Sequence, residues 1–229
     1  MKWNIGRSMV LSVTLIGLMV SVSEAGERYY PLKDGMIFKY RNVDVDRKIS
    51  ITVLTNLGSR ELKGKKVTPQ KYETYNEDNK RVFTIIFFVG EDDSGTYNCA
   101  FQPLDMLEPK VFPPKHYTYF FKYPIKIGTS WEERRPLRLK EGTAMVIFKC
   151  RIESLDDTRT VLAGTFKKCL KVKCFGSASE VEERGKSKKT DVKLELYKWF
   201  APGVGRILEA VKDDSGNTIL MRQIESFNK

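Results

Sequence analysis

Beyond its first 25 residues the chain alternates apolar and polar side chains with a period of two, and strongly helical periodicity is scarce. At 48–53, Ile49, Ile51 and Val53 fall on one face with Ser50 and Thr52 on the other, the pattern of a half-buried strand. Residues 82–89 are nearly all apolar and β-favouring, which predicts a strand buried on both faces. Residues 91–95 read as a turn and 96–101 as the returning strand. Further strands are expected near 129–134, 142–154, 158–162 and 166–175, then a charged loop at 180–189. The tail reads as strands 191–200, 206–212 and 218–227, separated by turns at 201–205 and 213–217. Turn signals at intervals of about 8–12 residues predict a mainly β chain: a single curved antiparallel sheet, a half-barrel or open barrel, with little helix.

The segment 103–124 breaks this rhythm. Pro109, Pro113, Pro114 and Pro124 exclude a long helix or a central strand, leaving room for one helical turn at 104–107. The pattern Tyr-Pro-aliphatic-Lys-x-Gly-x-x-aromatic occurs twice, from Tyr30 to Phe38 and from Tyr123 to Trp131. Each copy reads as an extended Pro-stiffened approach, a Gly turn and a strand opening on a large aromatic. The echo divides the domain into related halves at 29–122 and 123–229.

The start of the chain is an export signal. Lys2 and Arg7 precede an apolar run from Met9 to Val20, and small residues at Ser23 and Ala25 fit cleavage after Ala25. The run is shorter than the roughly 18–20 residues of a spanning helix, and no later segment is long and apolar enough to span. No Cys follows it, so no lipid anchor is expected. This organisation is a cleavable signal peptide at 1–25 and one β-rich domain at 26–229, periplasmic or secreted and not integral to the membrane after cleavage. Forty Lys and Arg against 29 Asp and Glu give a formal net charge of +11, which favours anionic partners. In the envelope these are phospholipid, lipopolysaccharide and acidic glycan. Dispersed lysines also serve solubility and guard strand edges.

Export permits disulfides among Cys99, Cys150, Cys169 and Cys174. Cys150 shares a strand face with Val146, Phe148 and Ile152, and Cys174 shares one with Leu170 and Val172, so a Cys150–Cys174 bridge between neighbouring strands is geometrically allowed. Buried free thiols are the alternative. Cys169 lies on the opposite face with Lys167, Lys171 and Lys173, and at roughly 17 Å along a strand it is out of reach of Cys174.

Three landmarks occur together: Tyr-Pro-Leu-x-x-Gly just after the leader, Ala163-Gly-Thr-Phe166 followed by Cys169-Leu-Lys-Val172, and Trp199-Phe-Ala-Pro-Gly-Val-Gly205. Their combination resembles an exported bacterial TapB-like family of largely uncharacterised periplasmic proteins, over most of the mature chain. The resemblance implies a Gram-negative envelope setting, a β-rich fold like that of lipoprotein carriers and, through the family name, type IV pilus biology. It carries no catalytic residues. Read from the residues themselves, Pro202, Gly203 and Gly205 form a tight structural turn between strands.

No catalytic constellation stands out. His116 is the single histidine, so a metal site or a nucleophile–base pair has almost nothing to draw on, and no cofactor or metal is expected. The chain has no nucleophile elbow, P-loop or zinc-protease motif. Carboxylate pairs such as Glu132/Glu133 are adjacent in sequence and so point to opposite faces of a strand. The richest candidate for binding is the basic and aromatic stretch, with Tyr119, Phe121, Tyr123 and Trp131 as walls and Lys122 and Lys126 at the rim. Such a set suits an apolar ligand with an anionic head; core packing of a rigid loop is the competing use, and nucleic acid is not expected. The expected function is a non-enzymatic envelope protein binding a lipid-like or anionic envelope ligand or acting as a scaffold. The alternatives are an accessory subunit of a surface assembly, meeting a protein partner through an edge strand, and, third, an envelope hydrolase using His116 or a carboxylate pair.

Overall fold

The computed structural model describes residues 28–183 and 185–228; the expected leader and its cleavage site lie outside them. The described chain forms fourteen strands: β1 (Ile37–Val43), β2 (Ile49–Asn56), β3 (Arg60–Leu62), β4 (Lys65–Tyr75), β5 (Arg81–Asp92), β6 (Gly95–Pro103) and β7 (Lys110–Val111), then β8 (Thr118–Lys122), β9 (Ser130–Leu139), β10 (Gly142–Val161), β11 (Gly164–Glu183), β12 (Lys186–Ala201), β13 (Gly205–Asp213) and β14 (Thr218–Phe227). They make one open antiparallel sheet in the order β7-β6-β5-β4-β2-β1-β14-β13-β12-β11-β10-β9, with β3 added to β4 and β8 to β6. The mainly β reading with a single curved sheet therefore holds, and the sheet does not close into a barrel.

Curvature follows from side-chain contacts that a flat sheet forbids. At about 4.8 Å per strand, β9 would lie roughly 14 Å from β12 and roughly 19 Å from β13. Yet Glu133 on β9 meets Lys198 on β12 at 2.5 Å, and Arg135 on β9 meets Glu209 on β13 at 2.9 Å. The β9 edge thus rolls inward over the concave face. One end is plugged by the N-terminal segment and β8: Tyr30 stacks on Phe120 at 4.3 Å, and Phe121 meets Phe200 edge-on at 5.4 Å.

Alternation sets the core. On β9 to β12, Leu137, Val146, Phe148, Ile152, Val172, Leu194 and Leu196 are buried, while Met145, Ile147 and Phe175 between them are exposed. A second apolar cluster joins Phe38, Tyr40, Leu54, Tyr72 and Ile85 of the N-terminal strands to Ile207, Leu208 and Ile224. Cys150 faces Cys174 across β10 and β11, and the two form a disulfide. Cys99 and Cys169 are buried free thiols; burial raises the Cys169 thiol to about 11.

Several local expectations need correction. Residues 180–189 are not a loop. β11 runs on to Glu183 and β12 begins at Lys186, because Glu180 pairs with Lys189 and Glu183 with Lys186, turning a charge run into a cross-strand ladder. The segment at 104–107 forms turns and bends rather than a helical turn: the Gln102 amide donates to the carbonyls of Met106 and Leu107, drawing the chain back on itself. A 3-10 turn forms instead at Pro114–His116. The strands expected at 142–154 and 158–162 are one strand, β10, whose register shifts against β11 between Ile152 and Arg159. On β5, Phe88 and Val89 are fully buried but Val82 and Phe83 are more than half exposed, since β6 ends at Pro103 opposite Ile85 and leaves them uncovered.

Candidate functional site

The aromatic stretch chosen from sequence is brought together only in part. Phe121 is fully buried and Trp131 nearly so, both in the core cluster. Phe121 lies 6.3 Å from the Tyr123 ring, and the Tyr123 hydroxyl donates to Glu91. Tyr119 packs edge-on against Tyr97 and hydrogen-bonds Ser94. Lys122 lies 4.6 Å over the Tyr119 ring, whereas Lys126 is exposed in the loop before β9. Together Tyr119, Phe121, Tyr123 and Trp131 pack as the plug that fills one end of the sheet. His116 is exposed on its short 3-10 turn.

The turn at 201–205 is built as a reversal. Ala201 pairs with Gly205, and Gly203 and Gly205 adopt φ of +71° and +101°. The Gly203 amide donates to the Arg28 carbonyl at 2.7 Å, tying the turn to the N-terminal segment.

The unusual chemistry lies on the concave face, where alternation places charge at core positions. Lys198 sits between Leu196 and Phe200, and Glu133 between Trp131 and Arg135; both Lys198 and Glu133 are almost wholly buried. Lys198 donates to Glu133. Glu209 is 1% exposed and receives Arg135 on one oxygen at 2.9 Å and Arg206 on the other at 2.8 Å. Arg222 follows on β14, opposite Glu209 in register, and its Nε donates to Asn42 Oδ1 at 2.7 Å. Asn42 in turn donates to Thr52, and Thr52 shares a hydrogen bond with Thr74. Beside this layer runs a neutral one: the hydroxyls of Tyr30 and Tyr72 donate to Gln70, whose amide donates to Asn56.

The charges in this layer do not balance. Four cations, Arg135, Lys198, Arg206 and Arg222, meet two carboxylates, Glu133 and Glu209. Burial would raise the Glu209 carboxyl, but Arg135 and Arg206 outweigh it and hold the group well below its ordinary range. The Arg222 pKa is lowered too, by burial and by the Arg206 charge, and for a cation that shift disfavours the charged form. Its protonated form is thus short of compensating negative charge. Arg206 Nε is buried without a hydrogen-bond partner, and Arg135 is 22% exposed, so the layer touches solvent. Arrays like this satisfy most of their polar atoms at a cost in desolvation, and a surplus of charge raises that cost.

None of Glu133, Arg135, Lys198, Arg206, Glu209 or Arg222 was singled out from sequence as a site residue. The available signal was parity: each strand has a charged residue in phase with its buried apolar ones. Among the described residues no group of His, Cys, Asp and Glu could hold a metal ion, and no helix is long and apolar enough to cross a membrane.

No family model and no curated protein matches the chain. Two crystal structures share its fold. One, described as a presumed exported protein with a YmcC-like fold from Bacteroides fragilis, superposes with a TM-score of 0.59 at 16% identity, covering 88% of this chain and 99% of that one. The other, described as a presumed lipoprotein from Parabacteroides distasonis, gives 0.53 at 12% identity with the same coverages. At these identities the likeness establishes the fold alone, one shared with a protein described as exported and with another described as a lipoprotein.

Proposed function

We propose that the protein is a non-catalytic binding protein of the cell envelope that holds an anionic group on its concave face. The observation that carries this reading is the charge surplus of the interior layer: four cations against two carboxylates, with Arg222 committing only its Nε to Asn42. Of the two ligand characters considered from sequence, apolar and anionic, the geometry favours the second. The apolar interior is occupied by the protein's own side chains, including Trp131, Phe148 and Phe200, whereas the cationic layer reaches solvent at Arg135. A phosphoryl or carboxylate head would accept hydrogen bonds from the free edge of the Arg222 guanidinium and relieve its repulsion with Arg206. The fold's occurrence in one protein described as exported and one described as a lipoprotein supports the envelope setting.

The test compares water-soluble dihexanoyl phosphatidylglycerol with the zwitterionic dihexanoyl phosphatidylcholine, titrated into the mature chain and followed by calorimetry. The anionic lipid is expected to bind more tightly, and Arg222→Gln to remove that preference while the fold, judged by circular dichroism, persists. Equal binding of the two lipids, or a preference untouched by Arg222→Gln, overturns the proposal.

A further inference from the structure

The convex face carries a second feature that the interior layer does not explain. Here β10 presents Lys149, Arg151 and Glu153, and β11 presents Phe175, Lys173 and Lys171; a shallow open groove runs between them. Two of these cations are compensated: Lys171 lies 2.9 Å from Glu153, and Lys173 lies 3.1 Å from Glu195. Lys149 and Arg151 make no ion pair among the described residues. In register, Arg151 stands directly opposite Lys173, a like-charge pair that weakens a sheet, and Lys149 stands opposite Phe175.

Phe175 is 58% exposed, turned outward on β11 between the buried Cys174 and Gly176. Its ring lies under Lys173 at 4.6 Å. The neighbouring strand continues the row: Tyr197 opposes Lys173 and Trp199 opposes Lys171, and the two rings stack at 5.8 Å. Arg159 covers Trp199 at 4.3 Å. Where β10 is irregular, the groove gains Asp156 and Asp157, and Asp157 accepts from the Trp199 indole at 2.6 Å.

We infer that this groove binds an acidic saccharide. Three kinds of group meet there, and each matches one part of such a ligand. Arg151 and Lys149 offer charge-assisted hydrogen bonds to a uronate carboxylate. The exposed Phe175 face offers a platform for the C–H face of a sugar ring, which the electron-rich ring attracts. Glu153 and Asp156 accept hydrogen bonds from sugar hydroxyls. The same carboxylates repel the continuous phosphates of a nucleic acid, and the groove is too open and polar to sheathe an acyl chain.

The inference stands apart from the concave-face reading, since the two sites lie on opposite faces of the sheet and share no residue. It is tested with a galacturonic acid hexamer against a neutral glucose hexamer, using the mature chain and its Arg151→Glu, Phe175→Ala and Arg222→Gln variants. Arg151 and Phe175 are exposed, so both of their variants are expected to fold, which circular dichroism and Tm check. The expected result is binding of the uronate hexamer only, weakened at least about tenfold by Arg151→Glu and by Phe175→Ala, and less by Arg222→Gln. The inference is overturned if the wild type ignores the uronate. It is equally overturned if Phe175→Ala binds as well as wild type, which would mark simple charge attraction, or if only Arg222→Gln weakens binding, which would place the ligand on the concave face.

Discussion

Replacing Glu209 with Gln isolates the interior layer. The carboxylate is 1% exposed and holds two guanidiniums, Arg135 and Arg206, on separate oxygens. A glutamine keeps the shape but leaves Arg206 without its carboxylate and Arg135 with only Glu133, 4.0 Å away, so the loss is that of a broken buried pair, about 3–5 kcal/mol. For a domain of this size each kcal/mol moves Tm by about 2–4 °C, which predicts a fall of roughly 6–20 °C at neutral pH. The pH dependence supplies an independent check. The folded-state pKa of Glu209 lies well below its ordinary value of 4.5, so its stabilisation is fully present above about pH 4.5 and is lost as pH falls through the lower, folded-state value. Melting curves of both proteins, followed by circular dichroism between pH 7 and pH 3, should therefore converge as the pH drops. A Glu209→Gln protein melting within about 2 °C of wild type at pH 7 would refute the reasoning, as would a gap of constant size across that range.

Two further predictions probe the sheet itself. Gly176 lies opposite Phe148, and a Cβ there would sit 2.4 Å from the Phe148 ring and 2.8 Å from Val146, so Gly176→Ala should cost at least about 1–3 kcal/mol in urea unfolding; a neutral outcome would mean that Phe148 does not cross Gly176 as described. The Cys150–Cys174 bridge closes a separation of 24 residues, so the Cys150→Ala, Cys174→Ala double variant should lose about 3 kcal/mol, with retained stability on reduction of the wild type counting against the bridge.

Much of the architecture was legible because burial on one face leaves a period-two trace. The strands 166–175, 191–200 and 206–212 lie within β11, β12 and β13, and the reversal at 201–205 is where Pro and Gly put it. What failed did so for physical reasons. Charge at 180–189 reads as solvated loop in one dimension and becomes a ladder only when Glu180 finds Lys189. Val82 and Phe83 look like core until the shortness of β6 is known. The choice of the aromatic stretch as a site rested on composition, and composition cannot tell a ligand wall from a plug: Phe121 is spent against Phe200. The interior layer was hidden differently. Glu133 was noted only as half of the pair Glu132/Glu133, and the parity argument that separated the pair already sent one of the two inward.

That inward charge is hard to attribute to stability. Lys198 and Glu133, both buried, could each be an apolar residue of similar volume with little loss, since buried pairs seldom repay their desolvation. Register is a better reason. A slip of one residue on β13 would expose Val211 and Glu209 to the wrong face and break contacts to β9 and β12 together, so the pairs penalise mispairing more than an apolar stripe would. Register, however, needs only balanced pairs. Glu133 with Lys198, and Glu209 with one arginine, would suffice. The second guanidinium on Glu209, and Arg222 beside it with Asn42 as its hydrogen-bond partner, add repulsion that neither folding nor register requires. It is this excess, rather than the burial of charge as such, that argues for an anion supplied from outside the chain.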